Sequence, residues 1–267
     1  MARKAFAGTP RRLPYGSAPD QWGDLYLPES GSPRGVVVVI HGGYWRDRYT
    51  ADLGAPLARD LVGHGLAVWN LEYRRAGSDG APGAGGWPQT FEDVAAGIDH
   101  LAGLAGPYGL DLRRVVALGH SAGGHLAVWA AGRHTLPPGA PGADPQVRLA
   151  GVVSQAGLLD LAAAERQNLS DGAAANLMGG SSDALPDAFV LADPLQALPI
   201  GTPVHAVHSR SDAHVPFDLS AGYVAAARAA GDPAELHEAT GDHFAVIDPA
   251  QPAYRACRDL LERLLAR

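Results

Sequence analysis

The chain has 267 residues, a formal net charge of −7 and a single cysteine, Cys257, so it cannot form a disulfide within itself. A chain of this length buries a substantial core unaided, so it needs neither disulfides nor a metal to fold. The acidic balance argues against nucleic acid or an anionic membrane as a partner, because both usually require basic patches.

Targeting signals are not evident. Residues 1–12 include basic side chains, but no apolar stretch follows them, and a signal peptide needs an apolar segment of about 7–15 residues. The densest β-branched run, residues 36–40, is far too short to span a bilayer. We therefore expect a soluble, cytoplasmic protein without a membrane partner, either a monomer or a homodimer.

Short β-like runs alternate with longer helical runs. The pattern predicts strands at residues 35–40, 66–71, 115–119, 149–154, 203–209 and 234–238. It predicts helices at residues 53–64, 90–105, 122–132, 217–230 and 249–266. In the second helix, Thr90 is the expected N-cap and Asp93 completes an acidic variant of the capping box. This alternation indicates an α/β fold, with a mostly parallel central sheet flanked by helices on both faces.

Two stretches interrupt this alternation. Residues 77–88 are rich in glycine and proline and are predicted to form a loop. Residues 155–199 form a longer insertion with weak helical segments and several prolines. An insertion at the carboxyl end of a strand lies above the ligand crevice of an α/β sheet. We therefore interpret residues 1–267 as one domain, with 155–199 as a small cap or lid.

The strongest motif is a G-x-S-x-G nucleophile elbow, Gly119-His120-Ser121-Ala122-Gly123, between a predicted strand and a predicted helix. A serine on such a sharp turn has a strained backbone, and side chains two positions away would clash, so glycines occupy those places. The following helix points its unpaired N–H groups at the serine, where they favour a developing anion. Ser121 is the predicted nucleophile.

A second motif, His41-Gly42-Gly43-Tyr44-Trp45, directly follows the first strong strand. A glycine-rich loop at this place can supply backbone donors to an oxyanion hole, besides the N–H of the residue after the nucleophile. The predicted donors are the amides of Gly43, Tyr44 and Ala122. His41 is expected to brace the loop by hydrogen bonding.

The predicted acid and base lie in loops after the last strands. Asp212 follows one strand, where a carboxylate can orient an imidazole; its rival Asp218 falls in the first turn of the next helix. His243 follows the last strand and is the predicted general base, whereas its rival His237 lies within that strand. Nucleophile, acid and base then occur in the chain order of α/β-hydrolases.

Other histidines are assigned no role in the reaction. His125, four residues after Ser121, is interpreted as structural. His205 and His208 are three apart in a strand, so their side chains point to opposite faces and make a poor metal pair. No cluster has convincing zinc spacing, and we expect neither a metal nor another cofactor.

Together these motifs resemble the α/β-hydrolase superfamily, and within it the small carboxylesterases and kynurenine formamidase-like enzymes. The segments that carry the resemblance lie at residues 24–28, 41–45, 72–75, 119–127 and 208–216. Many esterases have a third glycine where this chain has Tyr44, and that difference is associated with the formamidase-like branch. The resemblance implies an α/β-hydrolase fold and is weakest in the 155–199 insertion.

The sequence therefore predicts a serine hydrolase that cleaves a carboxylic ester of a small, largely apolar substrate through an acyl-enzyme on Ser121. Tyr44 and Trp45 are candidate substrate contacts. One alternative is an arylformamidase acting on formamides such as N-formylkynurenine, which requires the same chemistry. A more distant alternative is a non-catalytic binding protein on a hydrolase fold; such proteins usually lack one of the nucleophile, base or acid.

Overall fold

The structure, a computed structural model, describes residues 9–78 and 81–266. The first eight residues of the basic N-terminal segment lie outside the described residues, and so do positions 79 and 80 of the predicted 77–88 loop. The rest of that loop contains neither helix nor strand as far as residue 88.

A single sheet of eight strands runs through the described part of the chain. In chain order the strands are β1 (Arg11–Pro14), β2 (Trp22–Tyr26), β3 (Val36–Ile40), β4 (Ala67–Leu71), β5 (Val115–His120), β6 (Gly151–Gln155), β7 (Val204–Ser209) and β8 (Ala234–Ala239). Their order across the sheet is β1-β2-β4-β3-β5-β6-β7-β8. β2 pairs antiparallel with β1 and with β4, and the other pairings are parallel.

Helices pack on both faces of this sheet. They are α1 (Ala55–Gly63), α2 (Gln89–Asp99), α3 (Leu101–Tyr108), α4 (Ala122–Gly132), α5 (Leu161–Arg166), α6 (Leu169–Met178), α7 (Pro186–Ala192), α8 (Phe217–Ala229) and α9 (Pro252–Leu265). No helix of the described residues is long and apolar enough to cross a membrane.

The central strands are continuous apolar runs because helices cover both of their faces. Val36–Ile40 is buried throughout, and so is β5. The core forms two layers: α2, α4 and α8 pack on one face of the sheet, and α1 and α9 pack on the other. The predicted α/β-hydrolase fold with a mostly parallel sheet is confirmed.

Three local predictions differ from the structure. The single helix predicted at residues 90–105 is two helices, α2 and α3, which meet at His100. β1 and β2 were not predicted; β1 lies at an edge of the sheet and is mostly exposed, so it lacks the apolar pattern of a central strand. The capping box was wrong, because α2 begins at Gln89 with Pro88 as N-cap. Thr90 Oγ1 instead donates to the Arg74 carbonyl at 2.7 Å, and the Asp93 carboxylate binds the Arg74 guanidinium.

The insertion at residues 155–199 begins with the last residue of β6 and contains α5, α6 and α7. Backbone angles inside α6 are left-handed at Ser170, Asp171 and Gly172, so this helix is interrupted in its first turn. Arg46, in the loop after β3, donates from its guanidinium to Ser170 Oγ at 3.3 Å. The insertion thus contacts the loop after β3, and its function as a lid stays a prediction.

Candidate active site

Ser121 lies at the turn between β5 and α4, with φ 54° and ψ −118°. A Cβ at Gly119 would lie 2.1 Å from the Gly123 carbonyl oxygen, and a Cβ at Gly123 would lie 2.1 Å from the Ile40 carbonyl oxygen. Both distances are far inside van der Waals contact, so only glycine fits at either position. The serine therefore has the strained, positive-φ conformation that the motif predicts.

The amide of Ala122 begins α4 directly after this serine. The first N–H groups of a helix have no acceptor within the helix, and they carry its partial positive charge. The Ser121 carbonyl accepts the amides of Gly124 at 2.9 Å and His125 at 3.2 Å, so the serine is fixed to the first turn of the helix. This arrangement places an anion-stabilising helix terminus beside the serine.

The loop after β3 packs against the serine turn. A Cβ at Gly42 would lie 2.7 Å from the His120 carbonyl oxygen and 3.1 Å from Ser121 Cβ. The next residues, Gly43 and Tyr44, have φ of 113° and 51°, so the backbone turns sharply beside the serine. The predicted donor loop and the predicted nucleophile are therefore neighbours.

One buried carboxylate, that of Glu72, holds this loop. It receives hydrogen bonds from His41 Nε2 at 2.9 Å, from the Ala51 amide at 2.8 Å and from the Tyr73 amide at 3.0 Å. It also binds the Arg75 guanidinium. Burial alone would raise the pKa of Glu72, but the hydrogen bond from His41 and the charges of His41 and Arg75 outweigh burial and lower it.

His41 is braced on both ring nitrogens. Its Nδ1 contacts the Gly42 carbonyl oxygen at 2.8 Å, and its Nε2 contacts Glu72. Its ring stacks on the Tyr73 ring with centroids 4.5 Å apart, and the Tyr73 hydroxyl donates to the His41 carbonyl at 2.8 Å. These contacts agree with the expectation that His41 supports the loop.

A second buried carboxylate, that of Asp212, lies in the loop after β7. Its Oδ2 accepts from His243 Nδ1 at 2.6 Å and from His208 Nε2 at 3.2 Å. Its Oδ1 accepts the amides of His214 at 2.8 Å and Val215 at 2.9 Å. Burial would raise the pKa of Asp212, but the hydrogen bonds from the two histidines and from Val215 lower it well below its usual range. The carboxylate stays ionised and can orient the His243 ring.

His120 contacts the backbone of His243. Its Nε2 lies 3.1 Å from the His243 carbonyl oxygen, so it donates a hydrogen bond there. Burial, reinforced by the charge of His243, lowers the pKa of His120 to about 3. His120 is therefore neutral at physiological pH and adds no positive charge next to the proposed base, His243.

The rival acid and base lie elsewhere. Asp218 is exposed in the first turn of α8, where an acid is favoured by the helix dipole. His237 lies in β8, and its Nε2 is 3.0 Å from His205 Nδ1. Neither residue contacts Ser121, His243 or Asp212 through any hydrogen bond found in the described part of the chain.

A cavity of ≈ 290 Å³ brings the predicted groups together. Ser121, His243, Gly43 and Tyr44 line it. Aromatic and aliphatic side chains supply most of the remaining wall (Tyr49, Leu53, Phe244 and Ile247), and four polar residues complete it: Arg48, His120, His214 and, from the insertion, Ser170. Phe244 is half exposed and directly follows the predicted base. The reactive groups thus open into a small pocket with largely apolar walls.

Of the two predicted substrate contacts, only Tyr44 faces this cavity. Its hydroxyl donates to the His214 carbonyl at 2.6 Å, and burial raises its pKa to about 12, so the phenol keeps its proton. The prediction for Trp45 was wrong, because its side chain is only 1% exposed and packs edge-on against His125 in the core. His125 is likewise buried, and its Nε2 contacts the Ala192 carbonyl oxygen at 2.9 Å, as a structural residue would.

Several residues of the site were not singled out from the sequence. His208 was considered only as half of a rejected metal pair and as the first residue of the 208–216 segment, yet it binds Asp212. Tyr49, Leu53 and Phe244 were not predicted to line a pocket. An apolar residue directly after the base, Phe244, was the one sequence signal available, since the others come from loops that the fold alone brings together.

Comparisons with known proteins agree with this architecture. Residues 23–226 match the BD-FAE family model. A probable isoprenylcysteine alpha-carbonyl methylesterase of Oryza sativa subsp. japonica is 33% identical over 121 residues, covering 45% of this chain and 28% of that protein. The kynurenine formamidase of Danio rerio is 34% identical over 116 residues, covering 43% of this chain and 36% of that protein. The matched segments thus span about a third or less of these relatives.

Among solved structures, a truncated carbohydrate esterase from gut microbiota superposes with a TM-score of 0.83 at 21% identity, covering 100% of this chain and 99% of that one. At this identity the likeness shows the shared fold. The resemblance to α/β-hydrolases of the carboxylesterase and kynurenine formamidase-like branch is confirmed.

Proposed function

The chain belongs to the BD-FAE family, and on that premise we propose that it is a serine esterase. Its substrates are carboxylic esters of small, largely apolar molecules, and the intermediate is an acyl-enzyme on Ser121. One observation carries the proposal: Asp212 orients His243 through a 2.6 Å hydrogen bond, and His243 lines the same cavity as Ser121.

Asp212 accepts from Nδ1 of His243, so Nε2 is the nitrogen that can take a proton. In the first step Nε2 removes the Ser121 proton while Oγ bonds to the carbonyl carbon of the ester. His243 then gives that proton to the departing alcohol oxygen as the C–O bond breaks. In the second step water attacks the acyl-enzyme by the same route, and the acid and free Ser121 are released.

The negative charge that develops on the carbonyl oxygen requires fixed donors. We assign the amides of Ala122, Gly43 and Tyr44, because α4 begins at Ala122 and the loop after β3 packs directly on the serine turn. Loss of one such donor typically lowers turnover about 10²–10³-fold. Glu72 keeps the loop in place through His41 and so acts as a positioning residue.

The cavity favours small acyl groups. At ≈ 290 Å³ it lies at the lower end of the range of about 300–1,000 Å³ that is typical of ligand pockets. Tyr49, Leu53 and Phe244 supply apolar wall, and Arg48 is a charged residue at the same cavity. We propose that a small-molecule ester is the partner of this site and that neither nucleic acid nor a membrane takes part.

An arylformamidase is the second candidate. The relative from Danio rerio is named kynurenine formamidase, and Tyr44 follows two glycines in the loop that we assign to the oxyanion hole. An aryl leaving group could contact Tyr44 and Phe244, while Arg48 could pair with a carboxylate of the substrate. The chemical steps would be unchanged.

A rate panel separates the two candidates. Hydrolysis of p-nitrophenyl acetate, butyrate and octanoate is compared with hydrolysis of N-formylkynurenine, and the Ser121→Ala variant serves as the control. We expect the highest kcat/KM for acetate or butyrate, a fall at octanoate, and no turnover by the variant. A kcat/KM for the formamide that equals or exceeds that of the best ester would replace the esterase proposal with the formamidase.

A further inference from the structure

A second group of titratable side chains lies on the same two strands that lead into the acid and base loops. In the parallel pairing of β7 with β8, His205 stands opposite Glu235, and Val207 stands opposite His237. Alternate residues of a strand point to the same face, so His205, Glu235 and His237 share one face of the sheet. That face is the one covered by α9, since Val207 packs in the α9 layer.

Three atoms of this group converge on one point. His205 Nδ1 lies 3.0 Å from His237 Nε2 and 3.7 Å from Glu235 Oε2, and His237 Nε2 lies 3.4 Å from Glu235 Oε2. Ligand atoms about 2.0–2.2 Å from a tetrahedral zinc ion are separated from one another by roughly 3.3–3.5 Å. The three observed distances bracket that separation, so a single ion fits within bonding distance of all three atoms.

Hydrogen bonding alone accounts poorly for this convergence. With both rings neutral, one hydrogen on His205 Nδ1 can face His237 and Glu235 together, but His237 Nε2 and Glu235 Oε2 then face each other with lone pairs. Placing the hydrogen on His237 only moves the conflict to another pair. If a cation lies among the three atoms, all three lone pairs point at it and attract it. Each neutral imidazole then carries its hydrogen on the nitrogen that faces away from the ion.

The site is reachable from solvent. The Glu235 side chain is 51% exposed and that of His237 is 28% exposed, whereas that of His205 is nearly buried. A cavity of ≈ 250 Å³ adjoins His205 and Glu235. The guanidinium of Arg228, which lines this cavity, is anchored by a 2.7 Å hydrogen bond from its Nε to the Ala234 carbonyl. An ion can enter and complete its coordination with water.

We propose that His205, Glu235 and His237 bind a divalent transition-metal ion of the zinc class, and that this ion fastens the edge strand β8 to β7. Two imidazoles and one carboxylate are a ligand set that suits zinc. The expectation of no metal, drawn from sequence spacing, overlooked this group because its members come from two paired strands. The site is separate from the serine site, since β8 runs from it toward the loop that carries His243.

Zinc binding to the full chain tests this proposal. The protein is stripped with a chelator and dialysed, and then titrated with ZnCl₂ by calorimetry, with thermal unfolding followed in parallel. We expect one equivalent of Zn²⁺ to bind. Zinc at about 100 times its Kd should raise the Tm by roughly 5–10 °C.

Matched variants locate the site. Glu235→Gln and His237→Gln should each weaken zinc binding at least tenfold and reduce the Tm shift, with circular dichroism confirming that both fold. Glu238→Gln is the control, because it removes the same charge from the same strand but on the opposite face, where Glu238 pairs with Arg210 at 2.9 Å. Equal zinc affinity in wild type and His237→Gln would overturn the proposal, and so would the absence of binding to the wild type. Neither result depends on esterase activity.

Discussion

Two buried carboxylates hold the two sides of the candidate active site. Glu72 supports the loop after β3, on the oxyanion side of Ser121, and Asp212 supports the loops after β7 and β8, on the acid–base side. Glu72 accepts hydrogen bonds from one histidine and Asp212 from two, each also accepts from two backbone amides, and each has a lowered pKa. Each of the two histidine–carboxylate pairs, His41–Glu72 and His243–Asp212, therefore has the composition of a catalytic dyad.

The histidines show which pair can perform the chemistry. Both ring nitrogens of His41 face acceptors, the Gly42 carbonyl and Glu72, so this ring has no nitrogen left to take a proton. His243 gives Nδ1 to Asp212, and its ring lines the cavity beside Ser121. A histidine–carboxylate pair is therefore a support when both nitrogens are bound by acceptors and a candidate base when one nitrogen faces the substrate.

The largest effect expected from this comparison is that of Asp212→Asn. The amide can no longer accept the His243 hydrogen as a carboxylate does, so the imidazole loses its orientation and tautomer. We expect kcat/KM for a short-chain ester to fall about 10⁴-fold with the fold retained. Asp218→Asn, in the exposed first turn of α8, is the control and should leave the rate unchanged. A loss of less than tenfold in Asp212→Asn would remove Asp212 from the mechanism.

Glu72→Gln should act first on stability. Glutamine keeps the shape of the side chain but cannot accept from all the donors around it, so buried groups lose their partner. We expect the free energy of unfolding to fall by about 1–3 kcal/mol, with kcat reduced less than in Asp212→Asn. Urea unfolding measures the first quantity and ester hydrolysis the second. A loss of activity as large as that of Asp212→Asn, at unchanged stability, would make Glu72 part of the catalytic dyad instead.

Low pH should reduce the free energy of unfolding through two buried histidines, His120 on the acid–base side of the site and His125 on the oxyanion side. The effect per pH unit is smaller than that of either substitution above. Burial lowers the pKa of His120, beneath His243, to about 3, and that of His125, beside Trp45, to about 4. An unfolded histidine titrates near 6.5, so between roughly pH 6.5 and pH 4 the unfolded chain binds more protons than the folded one. The free energy of unfolding should therefore fall with decreasing pH by up to about 1.4 kcal/mol per unit for each histidine.

His125→Gln isolates one of these two contributions. In urea unfolding at pH 6.5, 5.5 and 4.5, the free energy of unfolding should fall less steeply with decreasing pH in the variant than in the wild type. The two slopes should differ by up to about 1.4 kcal/mol per pH unit, which corresponds to one proton. The variant itself should be less stable at pH 6.5, because its contact with the Ala192 carbonyl is altered. Identical slopes for the two proteins would show that His125 does not titrate in the folded state at the lowered pKa.

The sequence predicted the elements around Ser121 better than the edges of the fold. The bounds of α4 agree with the prediction, because an 11-residue apolar run after a glycine turn is long enough to favour a buried helix over a strand. The strand β1 was missed because exposed residues carry no apolar period. Thr90 was misassigned as a cap because tertiary contacts with Arg74 compete with the local capping pattern.

In the active site, too, residues in local motifs could be predicted from the sequence, whereas residues placed by tertiary contacts could not. Chain order predicted Ser121, Asp212 and His243. Ser121 and His243 line one cavity, and Asp212 binds His243; their catalytic roles stay predictions. Trp45 could not be told from its neighbour Tyr44 by sequence, since only the fold places Tyr44 at the cavity and buries Trp45 in the core. The group at His205 requires the register of two strands, which no spacing in the sequence encodes.

In the proposed reaction, Ser121 forms the covalent intermediate. The most direct measurement is intact mass and peptide mapping after treatment with a fluorophosphonate, in wild type and in Ser121→Ala. We expect one adduct per wild-type chain, located on Ser121, with complete loss of esterase activity. The variant should show no adduct, no turnover and an unchanged Tm. An adduct on any other residue, or ester turnover retained by Ser121→Ala, would contradict the account.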